Sequence, residues 1–245
     1  MGRGLTIITA FGRVEPPEFQ LDLARSVDEL ARLRSPAPTR WVRSYDRDGA
    51  FTVDWQPGYA TVTDVAHPGG GVSGPGHTRN RALATVTDGW VAAIDSDDRI
   101  VPAGFAAFVV AAQAADCRWA AALADDIDER GEVVYRGPDW VGSPVIARNC
   151  FLDIGDERGR HPWHPSAMVI DAALATECGG WGSWPEFHFF GEDVSFVARL
   201  NARHEGTWFP TVVFHRRRHG ASLTVHAELK PHPDERELIR RYANS

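Results

Sequence analysis

The sequence predicts one α/β domain built on a mostly parallel sheet with helices on its faces. Three observations predict it. The chain opens on a β-branched apolar run, Leu5–Phe11. Apolar segments of strand length then alternate with segments of helical period as far as Ala115. A further apolar run, Val91-Ala92-Ala93-Ile94, breaks into the carboxylates Asp95, Asp97 and Asp98. Alternating strands and helices are the pattern of a parallel sheet covered by its own crossover helices. A chain of 245 residues, 43% hydrophobic and 24% charged, suffices for one such domain with an ample core.

Leu5–Phe11 reads as a buried first strand closed by Gly12. Phe19, Leu23, Val27, Leu30 and Leu33 recur at helical spacing, and Ser35-Pro36-Ala37-Pro38 stops the helix they define. Arg40–Tyr45 is a second strand ended by Asp46-Arg47-Asp48-Gly49, and residues 51–65 hold a short third. From His67 to Gly76 the chain is a loop rich in glycine and proline. Thr78–Val86 is helical, Asp88-Gly89 turns into the strand at Val91, and Pro102 starts a helix that runs to Ala115. The second half is less regular. It holds a strand over Trp119–Leu123, a loop-rich region over 136–165 and a strand over Ser166–Ile170. A helix beginning soon after Glu192, a last strand over Val212–Phe214 and a terminal helix over Asp234–Tyr242 complete it.

The net charge of −7 argues against nucleic-acid and anionic-membrane partners that rely on bulk charge. Cys117, Cys150 and Cys178 are odd in number and widely spaced, so neither a disulfide framework nor a zinc pattern is expected, and a reducing cytoplasm is. The first residues hold too short an apolar segment for a signal peptide. The longest apolar stretch, Phe105–Ala115, falls far short of a bilayer span.

In an extended chain alternate side chains share a face, so Asp95 and Asp97 project together from the strand end. Two converging carboxylates suit a hard divalent cation, Mg²⁺ or Mn²⁺, which binds through one or two carboxylates together with substrate phosphates. The carboxyl ends of strands are also where open α/β sheets bind ligands. Against this stands a solvated turn, a place where Asp is common.

Four separated pieces share one pattern. They are the strand Thr6–Phe11, the run Gly76-His77-Thr78-Arg79-Asn80-Arg81-Ala82-Leu83, the run Ala93–Asp98 followed four residues later by Pro102, and Gly179-Gly180-Trp181 with Glu192-Asp193 eleven residues on. In this order and spacing the chain resembles the family-2 glycosyltransferases of the GT-A fold, over roughly residues 4–224. The resemblance implies a single GT-A domain over 1–245, with a nucleotide-donor half over about 1–98, an acceptor half over about 99–224 and a helical tail over about 225–245. It also implies an inverting, metal-dependent sugar transfer from a nucleoside-diphosphate donor, with Mn²⁺ or Mg²⁺ as cofactor. The acceptor is a hydroxyl of a small molecule or glycan.

By the resemblance, Thr9 and Phe11 lie against the base and ribose, Asp46 bonds the base, and Arg79 stands beside base or diphosphate. Asp95 reaches ribose or metal, Ser96 sits with it in the donor site, and Asp97 coordinates the cation on the diphosphate. Gly180 and Trp181 shape the sugar and acceptor pocket; Asp193, with Glu192 as the second choice, is the catalytic base. In relatives an Arg or His near His215-Arg216-Arg217-Arg218-His219 helps bind the diphosphate, which singles out His219 ahead of His215. A basic solvated strand end is the plain alternative. Arg81 reads as surface, Asp125-Asp126 as an exposed turn, with a place facing the donor sugar as what the resemblance offers instead, and His161, Trp163 and His164 as a segment an acceptor approaches.

Two departures touch nucleotide recognition. Thr9-Ala10-Phe11-Gly12 replaces the family's Pro-x-Tyr-Asn, and Asp46-Arg47-Asp48-Gly49 its Asp-Asp-Gly-Ser, so UDP is a default with GDP and dTDP open. Without a bilayer-spanning segment, single transfer in the cytoplasm is expected rather than processive synthesis; a homodimer stays open. Two other functions compete. A sugar nucleotidyltransferase needs a fuller glycine-rich basic loop than Gly12-Arg13, and a catalytically lost sugar-nucleotide module has no need of Asp95, Asp97 and Asp193 together.

Overall fold

The first strand, β1 (Leu5–Phe11), lies inside the sheet, and its alternating side chains feed two cores. Ile8 joins Val42, Val91 and Ala93 on one face, while Leu5, Ile7 and Phe11 join Trp41, Trp90 and Ile94 on the other. These contacts come from a computed structural model that describes residues 3–12, 15–46, 51–69, 74–136, 144–150, 164–182 and 192–220. The expected terminal helix over Asp234–Tyr242 lies outside those residues, as does most of the loop-rich region.

After β1 come α1 (Pro17–Arg34), β2 (Thr39–Tyr45), β3 (Thr61–Val65), α2 (Pro75–Leu83), β4 (Trp90–Ala93), β5 (Arg99–Ile100) and α3 (Pro102–Ala114). The second half supplies β6 (Trp119–Ile127), β7 (Val133–Tyr135), β8 (Val145–Ile146), a 3₁₀ turn over Pro165–Ala167 and β9 (Met168–Asp171). The last elements described are α4 (Ala172–Glu177), α5 (Glu192–Arg203) and β10 (Gly206–Arg217).

The sheet runs β3-β2-β1-β4-β9-β6-β10-β5, with β7 added to β6 and β8 to β10. Pairing is parallel from β3 through β4. Beyond β4 the sheet is mixed: β9 inserts antiparallel between β4 and β6, and β10 lies parallel to β6. The carboxyl ends of β1, β4, β6 and β10 therefore meet the start of β9 at one edge, where open α/β sheets hold ligands. Helices α1 and α3 cover one face through Leu23, Val27, Leu30, Phe105 and Phe108. Helices α2, α4 and α5 cover the other through Leu83, Leu174, Phe196 and Leu200.

Several elements differ from expectation, three of them as follows. Helix α2 begins at Pro75, not Thr78, because Gly74 (φ 124°) turns the chain and Pro75 presets a helical φ at the first position. The segment Ser166–Ala167 is a 3₁₀ turn, and the strand starts at Met168. Strand β10 is far longer than Val212–Phe214; shifts of register between Trp208 and Val212, and between Val212 and Phe214, carry Pro210 past its partner β6. Among the described residues no helix is long and apolar enough to cross a membrane.

Gly104 in α3 tests this packing. Alanine there gains about 1 kcal/mol of helix propensity, yet its Cβ would run into the carbonyl oxygen of Val212 on β10. Overpacking costs about 1–3 kcal/mol and a backbone neighbour cannot swing aside, so Gly104→Ala lowers the melting temperature. A rise would overturn the contact between α3 and β10.

Candidate functional site

Five chain segments converge at this edge, each carrying a charged or titratable side chain. Beyond β4 the turn 95–98 carries three carboxylates, held together because the backbone folds back, Asp98 N–H donating to the Asp95 carbonyl (3.3 Å). From α2, Arg79 reaches between two of the segments: Nη2 donates to Asp95 Oδ1 (2.5 Å) and Nη1 to Glu192 Oε1 at the head of α5 (2.6 Å). Burial alone would lower the Arg79 pKa, but Asp95, Glu192 and Asp193 outweigh it and raise it. That guanidinium is a fixed positive charge tying the expected metal turn to Glu192, the neighbour of the expected base Asp193.

Glu192 and Asp193 open α5, where the helix dipole favours negative charge. Burial nevertheless pushes Glu192 up to about 7, helped by repulsion from Asp193 and opposed by Arg79. Burial raises Asp193 too, against the pull of Arg79 and a hydrogen bond from the Val194 amide (2.7 Å).

On the other side of the turn, His219 Nε2 lies 2.9 Å from Asp97 Oδ2, and the imidazole meets the Phe19 ring edge-on at 5.2 Å between centroids. Ser96 Oγ donates to Glu15 Oε1 (3.3 Å), which brings in the segment before α1. Asp98 is buried; burial and its neighbours Asp97 and Asp95 raise its pKa well above the ordinary range, against the Arg217 amide that donates to it (2.7 Å). Among the described residues two sets of side chains offer ligand atoms within 4.8 Å of one another: Glu15, Asp97 and His219, and Asp95, Asp97 and Asp98. Carboxylate oxygens with one imidazole suit Mn²⁺, and carboxylates alone suit Mg²⁺ or Mn²⁺, so the residues present fit a divalent cation through Asp97.

The structure thus brings together Arg79, Asp95, Ser96, Asp97, Glu192, Asp193 and His219. Others among the expected residues have different work. Thr9 and Phe11 are fully buried on the α1 face: Thr9 Oγ1 accepts from Trp41 Nε1 (3.0 Å), and Phe11 stacks on Tyr45 at 5.6 Å. Both side chains belong to the core rather than to a nucleotide surface. Asp46 accepts from the Gly74 amide (3.1 Å to each oxygen) and from Thr78 Oγ1 (3.1 Å), which fastens the start of α2. Trp181 is likewise in the core, packed on Phe196 at 4.7 Å and 3% exposed. Gly180 (φ 60°) is required by close approach: a Cβ there would strike Asn80, whose carboxamide bonds the Trp181 carbonyl (2.6 Å) and amide (2.8 Å).

The basic end of β10 is only in part a solvated face, with Arg218 exposed and its neighbours engaged. Arg217 is buried, His215 Nδ1 lies 3.0 Å from Arg99 Nη2, and Arg216 and Arg218 both donate to Asp126 (2.8 Å each). Asp125 and Asp126 are buried, not an exposed turn, because β6 runs on to Ile127 between β10 and β7. Arg81 is half-buried and donates to the Tyr45 carbonyl (2.8 Å), so it is not plain surface. Of the acceptor-side trio, His161 and Trp163 lie outside the described residues. His164 stacks on Phe214 at 5.2 Å, accepts at Nδ1 from the Ser166 amide (3.2 Å), and is pushed down to about 4 by burial, with Arg216 adding to the effect. It is a neutral imidazole at neutral pH.

Sequence reasoning missed Glu15, Asn80, Asp98 as a buried acid, and Arg217. Only Arg217 left a signal, the alternation that puts it on one face with His215 and His219.

No protein-family model matches the sequence, and comparison with curated proteins returns no match. Solved structures do match. The structure of S. aureus TarS 1–349 in complex with UDP-GlcNAc aligns with a TM-score of 0.63 at 12% identity, covering 99% of this chain and 65% of that one. TarS 1–349 in complex with UDP gives 0.58 at 13% identity, covering 99% and 64%. TarS 1–349 alone gives 0.58 at 14% identity, covering 89% and 60%. The fold is the GT-A fold. The chain spans less than two thirds of the length of these TarS chains.

The Glu192 carboxyl makes the site pH-sensitive. Its folded-state pKa of about 7 exceeds the ordinary 4.5, so the folded protein keeps a proton that the unfolded chain has lost. This contribution favours the fold at low pH and is lost as pH rises from about 4.5 through about 7. Glu192→Gln removes it, worth on the order of 1–3 kcal/mol. The fall in melting temperature across that window should be steeper in the natural protein than in the variant. Parallel curves would contradict the assignment.

Proposed function

We propose that the chain is an inverting glycosyltransferase of the family-2 type, moving a sugar from a nucleoside diphosphate to an acceptor hydroxyl. The observation that carries this reading is the arrangement around Arg79, which joins Asp95, beside the cation-competent Asp97, to Glu192 next to Asp193. UDP is the expected nucleotide, a choice supported by the UDP and UDP-GlcNAc named in the TarS structures. The acceptor belongs to surface-polysaccharide or natural-product assembly, and residues 1–98 and 99–224 divide into donor and acceptor halves. The odd number and wide spacing of Cys117, Cys150 and Cys178 support a cytoplasmic setting.

In this reading Asp97 and His219, with Glu15 beside them, hold Mn²⁺ or Mg²⁺. A bound cation would supply Lewis-acid stabilisation of the departing diphosphate. The chain's own residues do the rest. Arg79 keeps Asp95 turned toward the donor side and fixes Glu192, which leaves Asp193 to accept the acceptor hydroxyl's proton. Its raised pKa strengthens it as a base, and the nearby Arg79 charge keeps the carboxylate form accessible. His164, neutral and half-buried, keeps a further positive charge out of the acceptor side.

A thermal-shift screen of UDP, GDP and dTDP, with Mn²⁺ and with chelator, tests the donor site. UDP with Mn²⁺ should stabilise the natural protein, and Asp97→Asn should lose the metal-dependent part. Asp193→Asn should keep that stabilisation yet lower transfer roughly 10²–10⁴-fold. Full turnover in Asp193→Asn would remove the base assignment. Binding without turnover across a broad acceptor panel would mark a sugar-nucleotide module instead, and pyrophosphate as product a nucleotidyltransferase.

A further inference from the structure

Arg217 is the most heavily committed side chain near the site, and the proposed reaction gives it nothing to do. Its side chain is 1% exposed, so it cannot touch a ligand. Its donors spread over three segments instead. Nε donates to the Asp97 carbonyl (3.0 Å), Nη1 to the carbonyls of Asp128 (3.3 Å) and Glu129 (3.2 Å), and Nη2 to Asp22 Oδ2 on α1 (2.8 Å). Its own amide donates to Asp98 Oδ1 (2.7 Å). The guanidinium lies over the Phe19 ring at 4.3 Å, and the same ring meets His219 edge-on.

We infer that Arg217 is a positioning residue that sets the backbone of the Asp97–Asp98 turn, and through it the direction in which the Asp97 carboxylate points. The geometry is two-handed. Arg217 grips the main chain of Asp97, and two residues on His219 grips the Asp97 carboxylate. Between them the end of β10 fixes both ends of that side chain. Asp22 and Phe19 on α1, three residues apart and so on one helix face, brace Arg217 from below. Helix α1 thus supports the turn without reaching the ligand space.

The chemistry requires arginine. A buried guanidinium carries a desolvation penalty that an apolar side chain of similar size avoids. What it adds is a rigid fork of donors able to hold several carbonyls and a carboxylate at once. Lysine keeps the charge for Asp22 but has a single nitrogen, so it cannot hold Asp97, the 128–129 turn and Asp22 together. Partners of this kind, one bond behind a metal ligand, change metal affinity by roughly 10–100-fold.

The inference rests on the proposed role of Asp97 as a cation ligand, and the test separates the two. Arg217→Lys and Arg217→Met in the full chain are compared with the natural protein by melting temperature, by hydrogen exchange of the 95–99 segment, and by Mn²⁺ titration calorimetry. Arg217→Lys should still fold, with a lowered melting temperature because the carbonyls lysine does not reach lose their donors. Exchange in the turn should quicken, and Mn²⁺ should bind about tenfold more weakly. Arg217→Met should show the same local change more strongly; if it fails to fold, the lysine variant decides. Unchanged exchange of the turn in Arg217→Lys would overturn the inference. So would exchange that quickens equally across the sheet, the mark of a general structural role. If the natural protein binds no Mn²⁺, the cation assignment of Asp97 falls, and the exchange measurement alone still decides the role of Arg217.

Discussion

Carboxylates cannot be crowded at the end of a sheet without countercharge, and this constraint organises the whole carboxyl edge of the molecule. Asp95, Asp97, Asp98, Glu192 and Asp193 converge there, and each desolvated carboxylate would otherwise take up a proton. Two buried guanidiniums answer them from opposite sides. Arg79 on α2 sits between Asp95 and Glu192, while Arg217 on β10 lies under the Asp97–Asp98 turn. The compensation is incomplete: Asp98, Asp193 and Glu192 all have raised pKa values. A site with surplus buried negative charge is suited to receiving a cation, which is the electrostatic ground for the proposed reading.

The topology makes this crowding available. The parallel half, β3-β2-β1-β4, delivers the 95–98 turn at its carboxyl edge. Inserting β9 antiparallel between β4 and β6 returns the chain to the same edge and displaces β6 by one position. Parallel pairing of β10 with β6 then ends at Arg216 and Arg217, opposite Asp126 and Ile127, and carries His219 back to Asp97. Asp126 holds Arg216 and Arg218 in turn, so the flank of the site is an alternation of fixed opposite charges.

How much of this was legible in the sequence follows from the range of each interaction. The first strand, α1, β2 and the apolar run before Asp95 are set by local period and punctuation, and they appear where the pattern puts them. The gathering of Asp95, Asp97, Arg79, Glu192 and Asp193 was legible only through the spacing of motifs that no local pattern joins. Asp125-Asp126 was misread because an acidic pair reads as a turn until a partner strand is known, and β10 is that partner. Trp181 was misread for a similar reason: its burial depends on Phe196 and Asn80, the latter 101 residues away. Glu15 carries no local signal at all, since only the return of β10 to α1 brings His219 near it.

Within the proposed transfer, the division of labour between Glu192 and Asp193 follows from Arg79. A base needs a carboxylate that is ionised but poorly compensated, so that taking a proton relieves it. Glu192 is bound directly to the guanidinium at 2.6 Å, so its carboxyl is committed to that pair. Asp193 feels the same cation without being bonded to it in that pair, and its hydrogen bond comes from the first turn of its own helix. The neighbour thus absorbs the geometric demand of Arg79 while Asp193 keeps the electrostatic benefit. That asymmetry, more than the order of the two residues in the chain, is the physical case for Asp193 as the base.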